Sequence, residues 1–233
     1  MLTLAEWQAV QLTLLVATTA VLLSLPWAIA LGWLLAKRQF PGKFLLETCV
    51  NLPLVLPPVV TGYLLLVLLG RQSPLGYWLE HFLGVRFIFD WKGAAIASAV
   101  VGFPLFVRPI RQAFAAVDGR LVQAARTLGA SPRDAFFSIT LPLARSGIFS
   151  GAVLAFARSM GEFGATLMIA GNIPGQTRTI PLFIYTQLDS PGGWEHAVPL
   201  VIAAVVIAAA ALLLGEWLER GGQSNKGERN GEP

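Results

Sequence analysis

The chain has 233 residues, 55% of them hydrophobic and only 13% charged, with a net charge of +4. A soluble domain carries about 25% charged residues, and here the charges flank long apolar blocks, which predicts a multi-pass membrane protein and argues against a nucleic-acid binder. A single cysteine, Cys49, excludes an internal disulfide and any multi-cysteine metal centre.

The start, MLTLAEWQAV, lacks a basic leader region and runs into an apolar block too long for one, so a cleaved signal peptide is not expected. A helix crossing the hydrocarbon needs about 20 apolar residues. Between Glu6 and Lys37 lie 30 uncharged residues, which predict span one. Between Glu47 and Arg71 lie 23, holding span two with Pro53, Pro57 and Pro58. Only 15 residues separate Lys92 from Arg108, so span three is short and Arg108 is expected to snorkel. Span four is read from Ser146 to Gly171, interrupted by Arg158 and Glu162, and span five from Ala197 to Gly215.

Five spans divide the basic residues 12 to 4. The larger group follows span one (Lys37, Arg38, Lys43), fills the segment between spans three and four (Arg108, Arg111, Arg120, Arg126, Arg133, Arg145) and marks the tail (Arg220, Lys226, Arg229). Positive charge stays inside, so the N-terminus is expected outside and the C-terminus inside. Trp7, Trp33, Trp78, Trp91, Trp194 and Trp217 fall near the expected interfaces. The chain divides into a membrane domain, 1–218, with an inner loop at 118–142, and a disordered tail, 219–233.

The inner loop carries QAARTLGASPRDAFFSITLP, residues 123–142. Asp118 is placed to cap a helix whose Leu121, Val122, Ala125 and Leu128 share a face. Gly129 suits the left-handed position after that helix. Ser131, Pro132 and Asp134 form the start of a second, with Asp134 as the capping-box acid, and Pro142 limits it. Phe136, Phe137, Ile139 and Leu141 supply its apolar side. Such a pair either lies on the lipid surface or serves as a docking knob for a soluble partner, approached closely over Ala124, Ala125, Gly129 and Ala130.

Three other features stand out. Arg158 and Glu162 are four apart on one face, and charges at that depth cost about 2.5–3.5 kcal/mol each, so they pair or face water. Around them Ser159, Gly161, Gly164 and Thr166 form a small polar stripe, and in span two Thr61 and Tyr63 follow the Pro57-Pro58 kink as neutral donors. Both sets fit either close packing or a weak-binding oxyanion pathway. Gly147, Gly151 and Ala155 give a small-residue seam, within the chain or between copies. His81 and His196 are isolated and make no metal site. Residues 172–177, NIPGQT, read as an outer turn and a candidate surface for an external partner. No Walker A pattern occurs: Gly42-Lys43 lacks both the earlier glycine and a following hydroxyl residue.

The loop sequence resembles the EAA loop of ABC-importer permeases: Ala124, Ala125, Gly129, Ile139, Leu141 and Pro142 stand at its spacing, with Gln123 in place of the leading acid. Residues 154–193 and 51–66 resemble spans four and two of molybdate permeases, and sulfate permeases share part of the first segment. The resemblance implies an all-α ABC importer permease with five transmembrane helices. It implies a homodimer, two copies of a separate ATPase subunit that binds the ATP and its magnesium, and a periplasmic molybdate-binding protein. It places Gln123, Ala124, Ala125, Arg126, Gly129, Ala130, Ser131, Pro132, Ile139, Leu141 and Pro142 in ATPase coupling. Thr61, Tyr63, Ser159, Gly161, Glu162 and Gly164 are the candidate pathway, with Arg158–Glu162 as an ion pair. Sulfate or tungstate as cargo, and an ion-driven secondary transporter using Glu162, are the alternatives.

Overall fold

The computed structural model describes residues 3–190 and 192–227, all of whose regular elements are helical. Helix α1, Leu4–Lys37, opens on a capping box: Thr3 Oγ1 accepts from the Glu6 N–H, and Glu6 accepts from the Thr3 N–H. At 1.5 Å per residue α1 is roughly 50 Å long, more than the ~30 Å hydrocarbon core requires. Its two ends therefore mark the two faces of the molecule.

Span two is not one kinked helix. It is α2, Lys43–Val55, and α3, Pro58–Leu69, bent by 113° at the break. Pro57 and Pro58 withhold two N–H donors in succession, so the ladder stops and restarts with Pro58 in the first turn. A short outer helix, α4, Pro74–Leu83, follows. Its signals are local: Ser73 caps the Gly76 N–H at 2.8 Å and Gly84 closes it with φ +63.

Helix α5, Trp91–Ala116, is the most enclosed long helix and extends well past the expected end at Arg108. Its arginines are held at its flank. Arg108 is exposed, as expected, and donates to Asn51 Oδ1 at 3.1 and 2.8 Å, while Arg111 pairs with Glu47 at 3.0 Å. The inner loop forms α6, Gly119–Thr127, then α7, Pro132–Ala135, a π-helical turn, Phe136–Thr140, and α8, Leu141–Leu143. Helix α9, Arg145–Met160, follows at a 62° bend.

Span four is broken. After α9 the chain turns at 161–163 and resumes as α10, Gly164–Ala170. Helix α11, Ile180–Leu188, and α12, Gly193–Gly227, complete the fold. Helix α12 continues into the segment expected as tail, and residues 228–233 lie outside those described. By length and apolarity α1, α5 and α12 can each cross a membrane, and the two bent pairs bring the count of spans to as many as five.

Three apolar clusters run along the bundle. Phe106, Ile110 and Phe114 of α5 pack with Ala28 and Leu35 of α1 at one end. Val16, Ala94 and Val101 meet Ala165 and Ile169 of α10 in the middle. Ala9 and Val10 meet Ile180, Phe183 and Leu200 at the other end. The Gly147–Gly151 seam lies within the chain. A Cβ on Gly147 would come 2.6 Å from the Pro109 carbonyl, and one on Gly151 2.7 Å from that of Phe106, so both glycines seat α9 against α5.

Candidate functional site: an exposed elbow and a buried helix break

The inner loop folds as its sequence dictates. Asp118 accepts from the Arg120 N–H at 2.9 Å and starts α6. At the other end the Ala130 N–H donates to the Ala125 carbonyl at 3.0 Å and the Gly129 N–H to that of Arg126 at 3.1 Å, a Schellman closure. Gly129 adopts φ +95 with open space around it, so the backbone, not crowding, demands glycine there. Ser131 accepts from the Asp134 N–H at 3.2 Å and Asp134 accepts from the Ser131 N–H at 3.1 Å. The Ser131 hydroxyl also donates to the Asp134 carboxylate; this bond first, and the one from the Ser131 N–H second, hold the Asp134 carboxyl below its ordinary value.

No residue of α6 is buried. Leu128 at its tip is 89% exposed and Phe137 is 64% exposed, so much of the expected apolar face is open, Leu121 and Leu128 being exposed while Val122 and Ala125 are half-buried. Gln123, Ala124, Arg126, Ser131 and Pro132 are exposed too, with Ala125 and Ala130 half-buried. The elbow touches the bundle chiefly through the π turn. The Phe136 ring meets Trp33 of α1 edge-on at 5.9 Å and Phe114 of α5 at 6.2 Å. Leu141 packs on the same cluster, and Ile139 is half-buried. Beside this joint, Lys37 Nζ donates to the Val117 carbonyl at 2.8 Å, tying the end of α1 to the end of α5.

Pro142 does not end the second elbow helix. The helical path continues to Leu143 and bends only at Ala144. Proline cannot donate to the carbonyl four residues back, and here the preceding turn is widened: the Leu141 N–H reaches five residues back, to Phe136.

The second place is the break between α9 and α10. Glu162 is 1% exposed at its side chain and pairs with Arg158 at 2.9 Å. Its Oε1 accepts from the Ala165 N–H at 2.9 Å, capping α10, so one carboxylate both neutralises the arginine and restarts the helix. Gly62 of α3 lies against this restart. A Cβ there would fall 2.7 Å from both the Cα and the carbonyl oxygen of Ala165, and one on Gly164 would sit 3.2 Å from Pro58 and Val59. The Thr61 and Thr166 hydroxyls are buried at this crossing without a hydrogen-bond partner among the described residues.

The six candidate pathway residues do not share one surface. Thr61, Ser159, Glu162 and Gly164 are buried within the protomer; Tyr63 and Gly161 are exposed. Tyr63, 54% exposed, therefore points away from its neighbour Thr61. From the sequence Trp33 is an interface aromatic and Lys37 an inner positive charge, and neither these packing roles nor that of Gly62 is read there. A glycine directly after Thr61 in an apolar span was the signal available for Gly62, whereas Trp33 and Lys37 owe their roles to residues some 80 or more positions away.

An all-helical bundle with broken spans and a rigid, outward-standing helical elbow defines a membrane subunit of the transporter class. Residues 28–221 match the family described as the inner membrane component of binding-protein-dependent transport systems. The chain is 55% identical to the molybdenum transport system permease protein ModB of Escherichia coli K12, over 94% of this chain and 96% of that one. It is 35% identical to the sulfate transport system permease protein CysW of Synechocystis, over 91% of this chain and 76% of that one. The fold matches a chain of a bacterial ABC transporter involved in alginate import, with TM-score 0.72 and 19% identity, over 94% of this chain and 80% of that one. The chain belongs to the binding-protein-dependent transport system inner membrane component family: it is a multi-pass transport permease.

Proposed function

We propose that this chain is the permease subunit of an ATP-driven importer of molybdate. Two copies form the translocation pathway. Two ATPase subunits, which hold the ATP and its magnesium, seat on the elbows in the cytoplasm, and a periplasmic binding protein delivers the anion at the opposite end. The N-terminus is periplasmic and the C-terminus cytoplasmic, following the charge split.

The observation that carries this reading is the elbow: a helix, α6, with no buried residue and a cap at each end, followed by a π turn whose Phe136 packs against Trp33 of α1 and Phe114 of α5. When the ATPases close they draw the two elbows together. Because the elbow is stiff and its joint touches two long helices, that motion tilts the bundle between inward-open and outward-open arrangements. Tyr63 and Gly161 are the candidates to line the passage between protomers. The buried Thr61, Ser159, Glu162 and Gly164 hold the bend that shapes it. Molybdate is favoured over sulfate because the molybdenum relative is far more similar than the sulfate one.

Ala125→Pro, which breaks α6, and Arg126→Glu are expected to abolish co-purification of the ATPase while membrane insertion persists. Intact complexes from both variants would refute the docking role. Competition uptake by the assembled system is expected to show molybdate displaced by tungstate more readily than by sulfate; preferential sulfate uptake would reassign the cargo.

A further inference from the structure

The end of the molecule opposite the elbow is fixed by α1. The elbow meets Trp33, and Lys37 is tied to the end of α5 beside it, whereas at the other end Thr13 accepts from the Ile180 N–H at 2.8 Å and Gln8 lies beside Gly175. There α3, α4 and residues 84–90 enclose an open hollow of about 1030 Å³, with apolar walls from Leu66, Val67 and Ile88. Arg71, Glu80 and Arg86 form its rim. Glu80 accepts the Arg71 Nε on one oxygen at 2.9 Å and the Arg86 Nε on the other at 2.8 Å. Both arginine side chains remain 66% exposed. Partial desolvation raises the Glu80 carboxyl, but the two guanidiniums outweigh it and hold it below its usual value.

One wall of the hollow is tied to α10 and the turn after it. Phe89 sits at φ 55, a conformation a bulky side chain adopts only when its surroundings impose it. Its N–H donates to the Ile169 carbonyl at 3.0 Å, and its ring lies against Gly171, where a Cβ would come within 3.1 Å.

We infer that Arg71 and Arg86 form a docking point for an acidic edge of the substrate-delivering binding protein; this rests on the importer reading above. The hollow is far wider than a tetrahedral oxyanion and suits a protruding segment of a protein. Glu80 lies between the guanidiniums, so it repels a free dianion and spreads the two forks instead of converging them on one ion. Gripping each arginine by Nε leaves the Nη groups for carboxylates of a partner, the geometry in which guanidinium recognition is strongest. The ion pairs also order both side chains in advance, which lowers the entropy lost on docking.

The test uses the assembled permease–ATPase complex in nanodiscs and a purified periplasmic molybdate-binding protein loaded with molybdate. Titrations at several ionic strengths are expected to show the Arg71→Ala/Arg86→Ala double variant docking roughly tenfold or more weakly, with a flatter salt dependence. Its thermal midpoint and ATPase co-purification are expected to match wild type, and the Arg→Lys pair to recover part of the affinity. Unchanged affinity and salt slope in the alanine variant overturn the inference. Unchanged docking with reduced uptake overturns it as well, assigning the arginines to the free anion. A wild-type complex that docks no binding protein removes the importer reading itself, and this inference with it.

Discussion

The elbow and the helix break solve opposite problems. The elbow, 118–143, stands outside the bundle and keeps its shape by bonds between residues close in sequence: Asp118 to Arg120, Gly129 and Ala130 to the end of α6, Ser131 to Asp134. The break at 161–163 has local bonds too, from Glu162 to Arg158 and to the Ala165 N–H, but its restart is also seated against a residue distant in sequence, Gly62 of α3. A surface that must receive another protein's push is best made locally rigid and independent of the spans. A bend that must form between apolar helices is best fixed by tertiary fit. The ring of Phe136, with Leu141 on the same cluster, joins the elbow to α1 and α5.

Perturbation should break the two regions differently. The largest effect is expected from Arg158→Ala, which leaves Glu162 buried and unpaired; breaking a buried pair costs about 3–5 kcal/mol. Fluorescence-detected gel filtration should show most of the subunit lost from the folded peak. Gly62→Ala comes next. Its added methyl meets Ala165 backbone that has little room to yield, and overpacking costs about 1–3 kcal/mol, read as a lowered thermal midpoint in detergent.

Phe136→Ala is expected to act mainly on coupling. Its ring is half-buried, so the stability loss is roughly 1–2 kcal/mol, well under that of a fully buried phenylalanine. ATPase co-purification should survive, while ATP hydrolysis no longer responds to loaded binding protein and uptake fails. Full coupling in this variant would place the joint elsewhere.

The smallest effect is at Asp134. Its folded value is depressed below the ordinary 3.8, so the cap contributes fully above that pH and is lost as pH falls through the lower folded value. Protection of the Asp134 and Ala135 amides, with the intrinsic pH dependence of exchange divided out, should hold at pH 5 and fall only below about pH 4; Asp134→Asn should remove that fall.

The elbow was legible in the sequence because caps and a left-handed glycine are decided within a few residues. Pro142 misled there, since the missing donor is absorbed by a π turn rather than by an end. The Arg158–Glu162 pair was legible from spacing and depth. The capping of α10 by the same glutamate was not, because Gly161 and Gly164 beside it fit close helix packing as well as a break. Span three was underestimated because counting stopped at Arg108, whose charge is accommodated by Asn51 from α2. Helix α4 has readable ends in Ser73, Pro74 and Gly84, but at ten residues it is too short to register as a span.

The central claim is that the energy for transport enters through the elbow from a separate ATPase. The most direct measurement is molybdate accumulation in proteoliposomes holding this chain alone, or this chain with its ATPase, with ATP and loaded binding protein supplied on the appropriate sides. Accumulation is expected only in the complete system, and is expected to vanish with Ala125→Pro. Uphill uptake by the chain alone, driven by an ion gradient, would contradict the account.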